Sequence, residues 1–261
     1  METVERRSDT LSSVRNAARI LNSFTADNPT QRVSDIALDL DLSKSAVSRL
    51  LATLAMEGLV YKEPDTQEYR LGTNVLTMAG VLIHNMDIHK EAAPLLNQVV
   101  LQTGETAHLA ILDGLDTIYI HKEEATHPTR IKTHLGRRNP SYCTSSGKVL
   151  MAFSDPEITE RIIAKGLTSY TDQTITNAEN LRTALTNIKS NGYATAREEF
   201  VKGTISIAAP IFDYTGKIVA ALSVVGSAKR MKPYKRTEFA AVVKRAATDA
   251  SERLGYDRRY L

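Results

Sequence analysis

The sequence predicts an α+β protein, and three observations support this fold class. Residues 12–58 carry apolar residues at helical spacing, and residues 59–71 read as a short β-hairpin. A long helical stretch then runs from about residue 74 to residue 102. Beyond Gly104 the pattern changes to short strand-like runs separated by helices, which is typical of an antiparallel sheet with helices on either side.

The first helix is predicted over residues 12–24, because apolar residues recur there on one stripe. That stripe consists of Val14, Ala17, Ala18, Leu21 and Phe24. A second helix is predicted from Ser34, whose hydroxyl suits an N-cap. Ile36, Ala37 and Leu40 form its apolar face.

A tight turn at Asp41-Leu42 separates this helix from a third one, for which Ser43 is the expected N-cap. Its core stripe, at spacing i, i+3, i+4 and i+7, consists of Val47, Leu50, Leu51 and Leu54. Gly58 suits the left-handed cap that ends such a helix. The strand-like runs 59–61 and 69–71 flank turn residues and predict a hairpin.

Two helices, a tight turn and a hairpin form the layout of a winged helix-turn-helix, in which the second helix lies in the DNA major groove. The alternative is a plain amphipathic helical hairpin with a solvated polar face, and the appended hairpin favours DNA binding. The candidate DNA-contacting residues are Ser34, Ser43, Lys44, Ser45, Ser48, Arg49, Thr53, Lys62 and Arg70. Arg6 or Arg7 is expected to reach a minor groove.

Charge argues only weakly for nucleic acid. The chain has a net charge of +3, whereas residues 1–75 hold 9 Lys and Arg against 11 Asp and Glu, a balance of −2. Attraction to phosphate must therefore be local. The cationic side chains available for it are Arg6, Arg7, Lys44, Arg49, Lys62 and Arg70.

Composition indicates a cytoplasmic globular protein. The 261 residues are 42% hydrophobic, which allows one or two domains with a substantial core. The N-terminal residues lack the apolar region of a secretory signal, and no apolar run is long enough to span a bilayer. A single cysteine, Cys143, excludes an internal disulfide and fits a reducing compartment.

Strands are predicted at 106–112, 117–121, 193–197, 206–212 and 218–225. Helices are predicted over 145–153, 157–164, 178–190 and 237–254. In the preceding helical stretch, 74–102, Pro94 is expected to mark a kink or a restart.

The chain resembles the IclR family of bacterial transcriptional regulators over nearly its whole length. The matching segments, in order, are SVRNAARILNSF, SDIALDLDLSKSAVSRLLATLAMEGLV, YRLG, TGETAHLAILDG, SSGKVLMAF, NGYATAREEFVKGTISIAAPIFDYTGKIVAALSV and VGSAKR. Each segment alone matches the family only loosely, whereas seven segments in the right order and spacing form a specific match.

This resemblance implies a winged helix-turn-helix over residues 1–73, a linker helix over 74–102 and a GAF-like effector-binding domain over 103–261. It also implies dimers, or dimers of dimers, on palindromic double-stranded operators. Twofold symmetry would place two recognition helices about one DNA turn apart.

The resemblance further implies an effector pocket. In relatives that bind small keto acids, amides in the loop before the GK helix hold the carboxylate, and the matching positions here are Ser145 and Ser146. Successive amides at a helix N-terminus form an anion site. The remaining matching positions are Ala196, Ser206, Ser223 and Val225, and Ile131 is expected to add an apolar wall.

The chain departs from those relatives at three of these positions. They commonly carry an acid at position 196, a Cys at 206 and a Ser at 225, where this chain has Ala196, Ser206 and Val225. The expected effector therefore has a carboxylate or carbonyl end and a more apolar remainder than glyoxylate or pyruvate.

Other chemistry-bearing residues have plainer interpretations. Cys143 lacks a flanking catalytic motif and is read as a small buried hydrophobe. The histidines match no zinc spacing, and Lys148 lacks the upstream glycine of a phosphate-binding loop. Of Glu198 and Glu199, one is expected to anchor a loop through Gly203. The cluster Lys229, Arg230, Lys232, Lys235 and Arg236 is read as a solvated face.

These observations predict an effector-controlled repressor without cofactor, metal or catalytic residue. A transcriptional activator of the same family is the alternative. A rival from another class is a small-molecule enzyme or carrier that uses Cys143.

Overall fold

The computed structural model describes residues 11–125 and 134–257. It divides into two compact units, one of residues up to 85 and one from residue 86 onward. Three of the residues named above, Arg6, Arg7 and Ile131, lie outside the described ranges.

The first unit is a winged helix-turn-helix, as the sequence predicts. Its elements are α1 (Ser12–Ser23), β1 (Thr30–Gln31), α2 (Val33–Leu40), α3 (Lys44–Met56), β2 (Val60–Lys62), β3 (Tyr69–Leu71) and α4 (Thr73–His84). The three strands form an antiparallel sheet in the order β1-β3-β2. The two-residue strand β1 was not expected, because so short a segment shows no alternation.

The turn between α2 and α3 has the expected chemistry. Asp41 ends α2 in the left-handed conformation, with φ of 53°. The Ser43 hydroxyl accepts a hydrogen bond from the Ala46 amide at 3.2 Å, which confirms it as the N-cap of α3. Gly58, with φ of 67°, supplies the positive φ needed just after α3.

The N-cap prediction for Ser34 is wrong. Helix α2 begins at Val33, and its cap position is taken by Arg32. Ser34 therefore lies inside the first turn, where its hydroxyl donates to the Asp35 carboxylate at 2.9 Å instead of accepting from a backbone amide.

The core of the first unit lies among α1, α2, α3 and the wing. Ile20, Ile36, Val47 and Leu51 are fully buried in it. In α1 the buried centre is Ile20, whereas Val14 is 62% exposed. Of the predicted stripe, Ala17, Leu21 and Phe24 pack into the core, whereas Val14 and Ala18 are exposed.

The second unit is an antiparallel sheet with helices on both sides. Its elements are α5 (Asp87–Thr103), β4 (Thr106–Asp113), β5 (Asp116–Glu123), β6 (Arg138–Pro140), a 3₁₀ turn (Ser141–Cys143), α6 (Ser145–Phe153), α7 (Pro156–Lys165), α8 (Ala178–Asn191), β7 (Ala194–Arg197), β8 (Thr204–Phe212), β9 (Ile218–Ser227) and α9 (Pro233–Arg253). The strand order is β6-β5-β4-β9-β8-β7. In the described part of the chain, no helix combines the length and apolarity needed to cross a lipid bilayer.

The two faces of this sheet carry different residues. Leu109 and Leu222 are buried on the side of α5 and α9. Ala110, Ala208 and Ala221 are buried on the other side, with α6, α7 and α8. These small side chains leave room for α6 to lie close against the strands.

The helical stretch expected over residues 74–102 consists of two helices, α4 in the first unit and α5 in the second. The break follows α4 at Asn85, whose side-chain amide donates to the Val81 carbonyl at 2.8 Å. Helix α5 runs through Pro94 without a break, so the predicted restart at this residue is wrong. Pro94 is exposed inside α5, so the carbonyl that loses its helical partner can be hydrated.

Helix α6 contacts the 3₁₀ turn at a distance that only glycine permits. A Cβ atom on Gly147 would lie 2.2 Å from the Ser141 carbonyl oxygen, far inside van der Waals contact. The close approach places the N-terminus of α6 directly above the sheet.

The next residue, Lys148, ties α6 to β7 through a buried ion pair. Its Nζ atom lies 2.7 and 2.9 Å from the carboxylate oxygens of Glu199 and donates to the Thr195 carbonyl at 3.0 Å. Glu199 also accepts from the Arg197 amide at 3.3 Å. Burial raises the pKa of Glu199, and the ammonium group of Lys148 opposes this shift.

We expect Lys148→Met to lower the free energy of unfolding by about 3 kcal/mol, because it leaves the Glu199 carboxylate buried without a counter-charge. Adding Glu199→Gln should restore a substantial part of this loss, since a neutral amide needs no cation and still accepts from Arg197. Urea denaturation followed by circular dichroism measures both effects.

The matched control is Lys202→Met, which breaks the Lys202–Asp172 ion pair, whose side chains are 69% and 86% exposed. It should change the stability by less than about 1 kcal/mol. Equal losses for Lys148→Met and Lys202→Met would show that the buried pair contributes no more than a surface one.

Candidate functional site

The outer face of α3 presents four polar side chains to solvent. Lys44, Ser45, Ser48 and Arg49 are all exposed there, opposite the buried stripe. Within the described ranges, neither Lys44 nor Arg49 takes part in an ion pair. We call these four residues the α3 surface; it combines two free cations with two small hydroxyls.

The cations of the wing are held differently. The Arg70 guanidinium lies over the Tyr61 ring at 4.6 Å, and its Nε atom is 3.6 Å from the Glu63 carboxylate. Lys62 lies over the Tyr69 ring at 5.7 Å. The structure thus places Lys62 and Arg70 on the exposed wing, where neighbouring side chains already contact them.

Four hydroxyls of the candidate set already have partners, those of Ser34, Ser43, Ser45 and Thr53. Ser43 caps α3 and lies 3.2 Å from the Ser45 hydroxyl. Thr53 donates to the Arg49 carbonyl at 3.0 Å, and Ser34 is bonded to Asp35 on α2. The α3 surface can therefore approach DNA with its cations, while Ser34, Ser43 and Thr53 serve the local fold first.

In the second unit, the N-terminus of α6 forms a potential anion site. The Thr144 hydroxyl accepts from the Gly147 amide at 3.1 Å and caps the helix. The amides of Ser145 and Ser146 lie in the first turn, where no intrahelical acceptor exists. Both residues are only 1% exposed. Among the described residues, the buried Ser145 hydroxyl has no hydrogen-bond partner.

The sheet register brings the other expected pocket residues together. Ala196 on β7 pairs with Ser206 on β8, and Ser206 pairs with Val225 on β9. Ser223 lies two residues from Val225 on the same face, and its hydroxyl accepts from the Ser146 hydroxyl at 2.9 Å. We call these residues, with Ser145, the α6–sheet site.

His108 belongs to this face and was missed in the sequence analysis. It pairs with Ser223 in the sheet register and stacks on Tyr119, with ring centroids 4.4 Å apart. Burial, together with the charge of Lys122, lowers the pKa of His108 to about 3, so its imidazole is neutral. The alternation of β4 could have placed it, since residues 106, 108 and 110 share one side.

The remaining chemistry-bearing residues have structural roles. Cys143 is fully buried, and burial raises the pKa of its thiol to about 12, so it is not a thiolate nucleophile at neutral pH. The Glu198 carboxylate accepts from the Gly203 amide at 2.7 Å, which confirms the expected loop anchor. Lys148 binds Glu199 rather than facing a phosphate site.

Family models match both units of the chain. Residues 13–64 match the IclR helix-turn-helix domain, and residues 80–252 match the C-terminal region of the bacterial transcriptional regulator IclR. The second match alone covers more than half of the 261 residues.

Individual relatives agree with this. The chain is 31% identical to the Escherichia coli regulator XynR, over 94% of this chain and 98% of that protein. It is 30% identical to the Klebsiella pneumoniae repressor AllR, over 90% of this chain and 87% of that protein. A crystal structure of an IclR homologue from Microbacterium hydrocarbonoxydans, complexed with 4-hydroxybenzoate, has a TM-score of 0.83 and 25% identity, with 93% and 99% of the two chains covered.

The exposed α3 surface, the effector-type second unit and these matches lead to one assignment. The chain belongs to the IclR family of bacterial transcriptional regulators, which are DNA-binding proteins with an effector-binding domain and not enzymes.

Proposed function

We propose that this regulator is a repressor whose hold on a palindromic operator is altered by a small carboxylate or carbonyl metabolite. Its likeness to AllR, which is named as a repressor, supports this direction of control. Activation of transcription is the alternative, and a promoter–reporter fusion in a strain lacking the regulator distinguishes them.

The single observation that carries DNA recognition is the α3 surface. Arg49 and Lys44 are exposed cations without an acidic partner in the described ranges, whereas Arg70 and Arg32 are each paired with a glutamate. This arrangement concentrates attraction for phosphate and base edges on α3, although the net charge of residues 1–75 is −2.

The proposed effector has a carboxylate bound at the N-terminus of α6 and an apolar remainder over the sheet. The first-turn amides and the buried, unpartnered hydroxyl of Ser145 suit the anion. Ala196 and Val225, together with the Tyr119-stacked ring of His108, suit an apolar body. The 4-hydroxybenzoate complex of the homologue supports an acid of this kind.

For assembly, we propose a dimer in which α4 packs against a second copy, with a dimer of dimers as a further level. No residue of α4 is buried, and Leu76, Met78, Val81 and Leu82 are 60% to 73% exposed. Burying this apolar face would favour association. Helix α4 follows the wing directly, so pairing there would set two α3 surfaces at a defined spacing.

Effector control then requires two arrangements of the dimer that differ in effector affinity, because equal affinity for both would shift nothing. We propose that residues 74–102 couple effector binding to DNA binding, since this stretch comprises α4 and α5 and joins the two units.

We expect Arg49→Ala to weaken operator binding by roughly 1–3 kcal/mol and to relax sequence preference, because it removes a base-reading guanidinium. Lys44→Ala should weaken binding to all sequences and reduce the salt slope by about 1. Fluorescence anisotropy on the DNA flanking the gene, with competitor DNA, measures both.

The control for this experiment is Arg161→Ala, an exposed arginine on α7 in the other unit. It should bind like the wild type. If Arg49→Ala also bound like the wild type while the operator complex remained sequence-specific, α3 would not be the reading element.

We expect Ser145→Ala to stabilise the ligand-free protein by about 1 kcal/mol, because it removes a buried hydroxyl that has no partner among the described residues. The same change should weaken binding of 4-hydroxybenzoate or benzoate, the probe acids, by up to roughly tenfold. Thermal unfolding and isothermal titration give the two readouts.

Ser190→Ala, at an exposed serine of α8, is the control and should change neither property. Tight binding of glyoxylate or pyruvate alone would contradict the apolar remainder. An unchanged affinity in Ser145→Ala would remove its hydroxyl from the anion site.

We expect Met78→Glu combined with Leu82→Glu to convert the dimer into a monomer, because it places two carboxylates on one face of α4. Sedimentation velocity measures the mass. Thr73→Glu, an exposed position near the start of the same helix, should leave the dimer intact. A double variant that stays dimeric would assign the interface to another surface.

A further inference from the structure

A pair of histidines joins α5 to β5 on the side of the sheet opposite the α6–sheet site. The Nε2 atom of His89 lies 3.1 Å from the Nδ1 atom of His121, and the two rings are nearly perpendicular, at 82°. His121 pairs with Leu109 in the sheet register, which places it on the α5 face. Neither residue belongs to the α3 surface or to the α6–sheet site.

The far nitrogen of His121 is also engaged. Its Nε2 atom lies 3.1 Å from the Glu123 carboxylate, so this nitrogen carries the proton and donates it. That tautomer leaves a lone pair on Nδ1, directed toward His89. A carboxylate behind a histidine, fixing its tautomer in this way, is the usual outer partner of a metal-bound imidazole.

We propose that His89 and His121 together bind a divalent transition-metal ion of the zinc type, with Glu123 as the supporting carboxylate. Imidazole nitrogen is a preferred ligand of such ions.

The geometry requires only small movements. Two nitrogens at about 2.05 Å from a tetrahedral ion lie about 3.3 Å apart, close to the 3.1 Å observed. Each ring must turn by about 35° so that the lone pairs converge on the ion, and histidine χ2 is a soft torsion. The proton of the present hydrogen bond moves from Nε2 to Nδ1 of His89, so no net proton is released.

The site is open to ions from solvent. The His121 side chain is 21% exposed and the Glu123 side chain is 34% exposed. In the ranges that the structure covers, no group of three or more His, Cys, Asp or Glu side chains is placed to hold one ion. Within the described residues the site thus offers two imidazole ligands, and in the proposal water fills the remaining coordination positions of an ion that cross-links α5 to β5.

Isothermal titration of Zn²⁺ into the tag-free, chelator-treated full chain tests this proposal. We expect one saturable site, lost or weakened at least about tenfold in His89→Ala and in His121→Ala, and weakened roughly tenfold in Glu123→Gln. His84→Ala removes an exposed histidine of α4 and should bind like the wild type. Mg²⁺, which prefers oxygen ligands, should give no binding.

X-ray absorption spectroscopy at the zinc K-edge of the wild-type complex identifies the ligands of the ion without any variant. It should show two imidazole nitrogens, with lighter scatterers consistent with water. A complex with one imidazole or none would overturn the proposal, as would the absence of saturable binding or equal Zn²⁺ affinity in all histidine variants. The outcome is independent of operator and effector binding, so it leaves the proposed function untouched.

Discussion

The buried ion pair between Lys148 and Glu199 fixes helix α6 against strand β7 in the second unit. Both side chains are buried, and two ionised groups can stay there only because each neutralises the other and both reach backbone partners. Since Lys148 follows Gly147 in α6, the pair and the close glycine contact act on the same turn of helix. Together they set where the amides of Ser145 and Ser146 lie above the sheet.

DNA recognition by the first unit depends on which of its cationic side chains are exposed without an acidic or aromatic neighbour. Its overall balance is negative, and most of its wing cations already contact a carboxylate or an aromatic ring. On α3, by contrast, the exposed cations Lys44 and Arg49 lie beside the small hydroxyls of Ser45 and Ser48 and have no ion-pair partner in the described ranges. Specific recognition is favoured by such an arrangement, because a general positive charge would bind any duplex.

Sequence patterns predicted the helices, the hairpin and five of the six strands of the large sheet, because apolar periodicity and turn residues are local signals. Ser34 and Ile20 show the limit of such signals. A one-residue shift in the start of α2 moved Ser34 off the cap, and α1 has several apolar stripes among which only packing chooses. Lys148 with Glu199 and His89 with His121 are 51 and 32 residues apart, so no local pattern could join them.

The edges of the large sheet have a consequence for solubility. On β7, the outward carbonyl of Thr195 and the outward amide of Arg197 are already bonded to Lys148 and Glu199, as a neighbouring strand would bond them. At the other edge, β6 is three residues long and ends in Pro140, which has no amide hydrogen. In the part of the chain that the structure describes, these features disfavour pairing of another molecule's strand with β7 or β6, and so disfavour aggregation by extension of the sheet there.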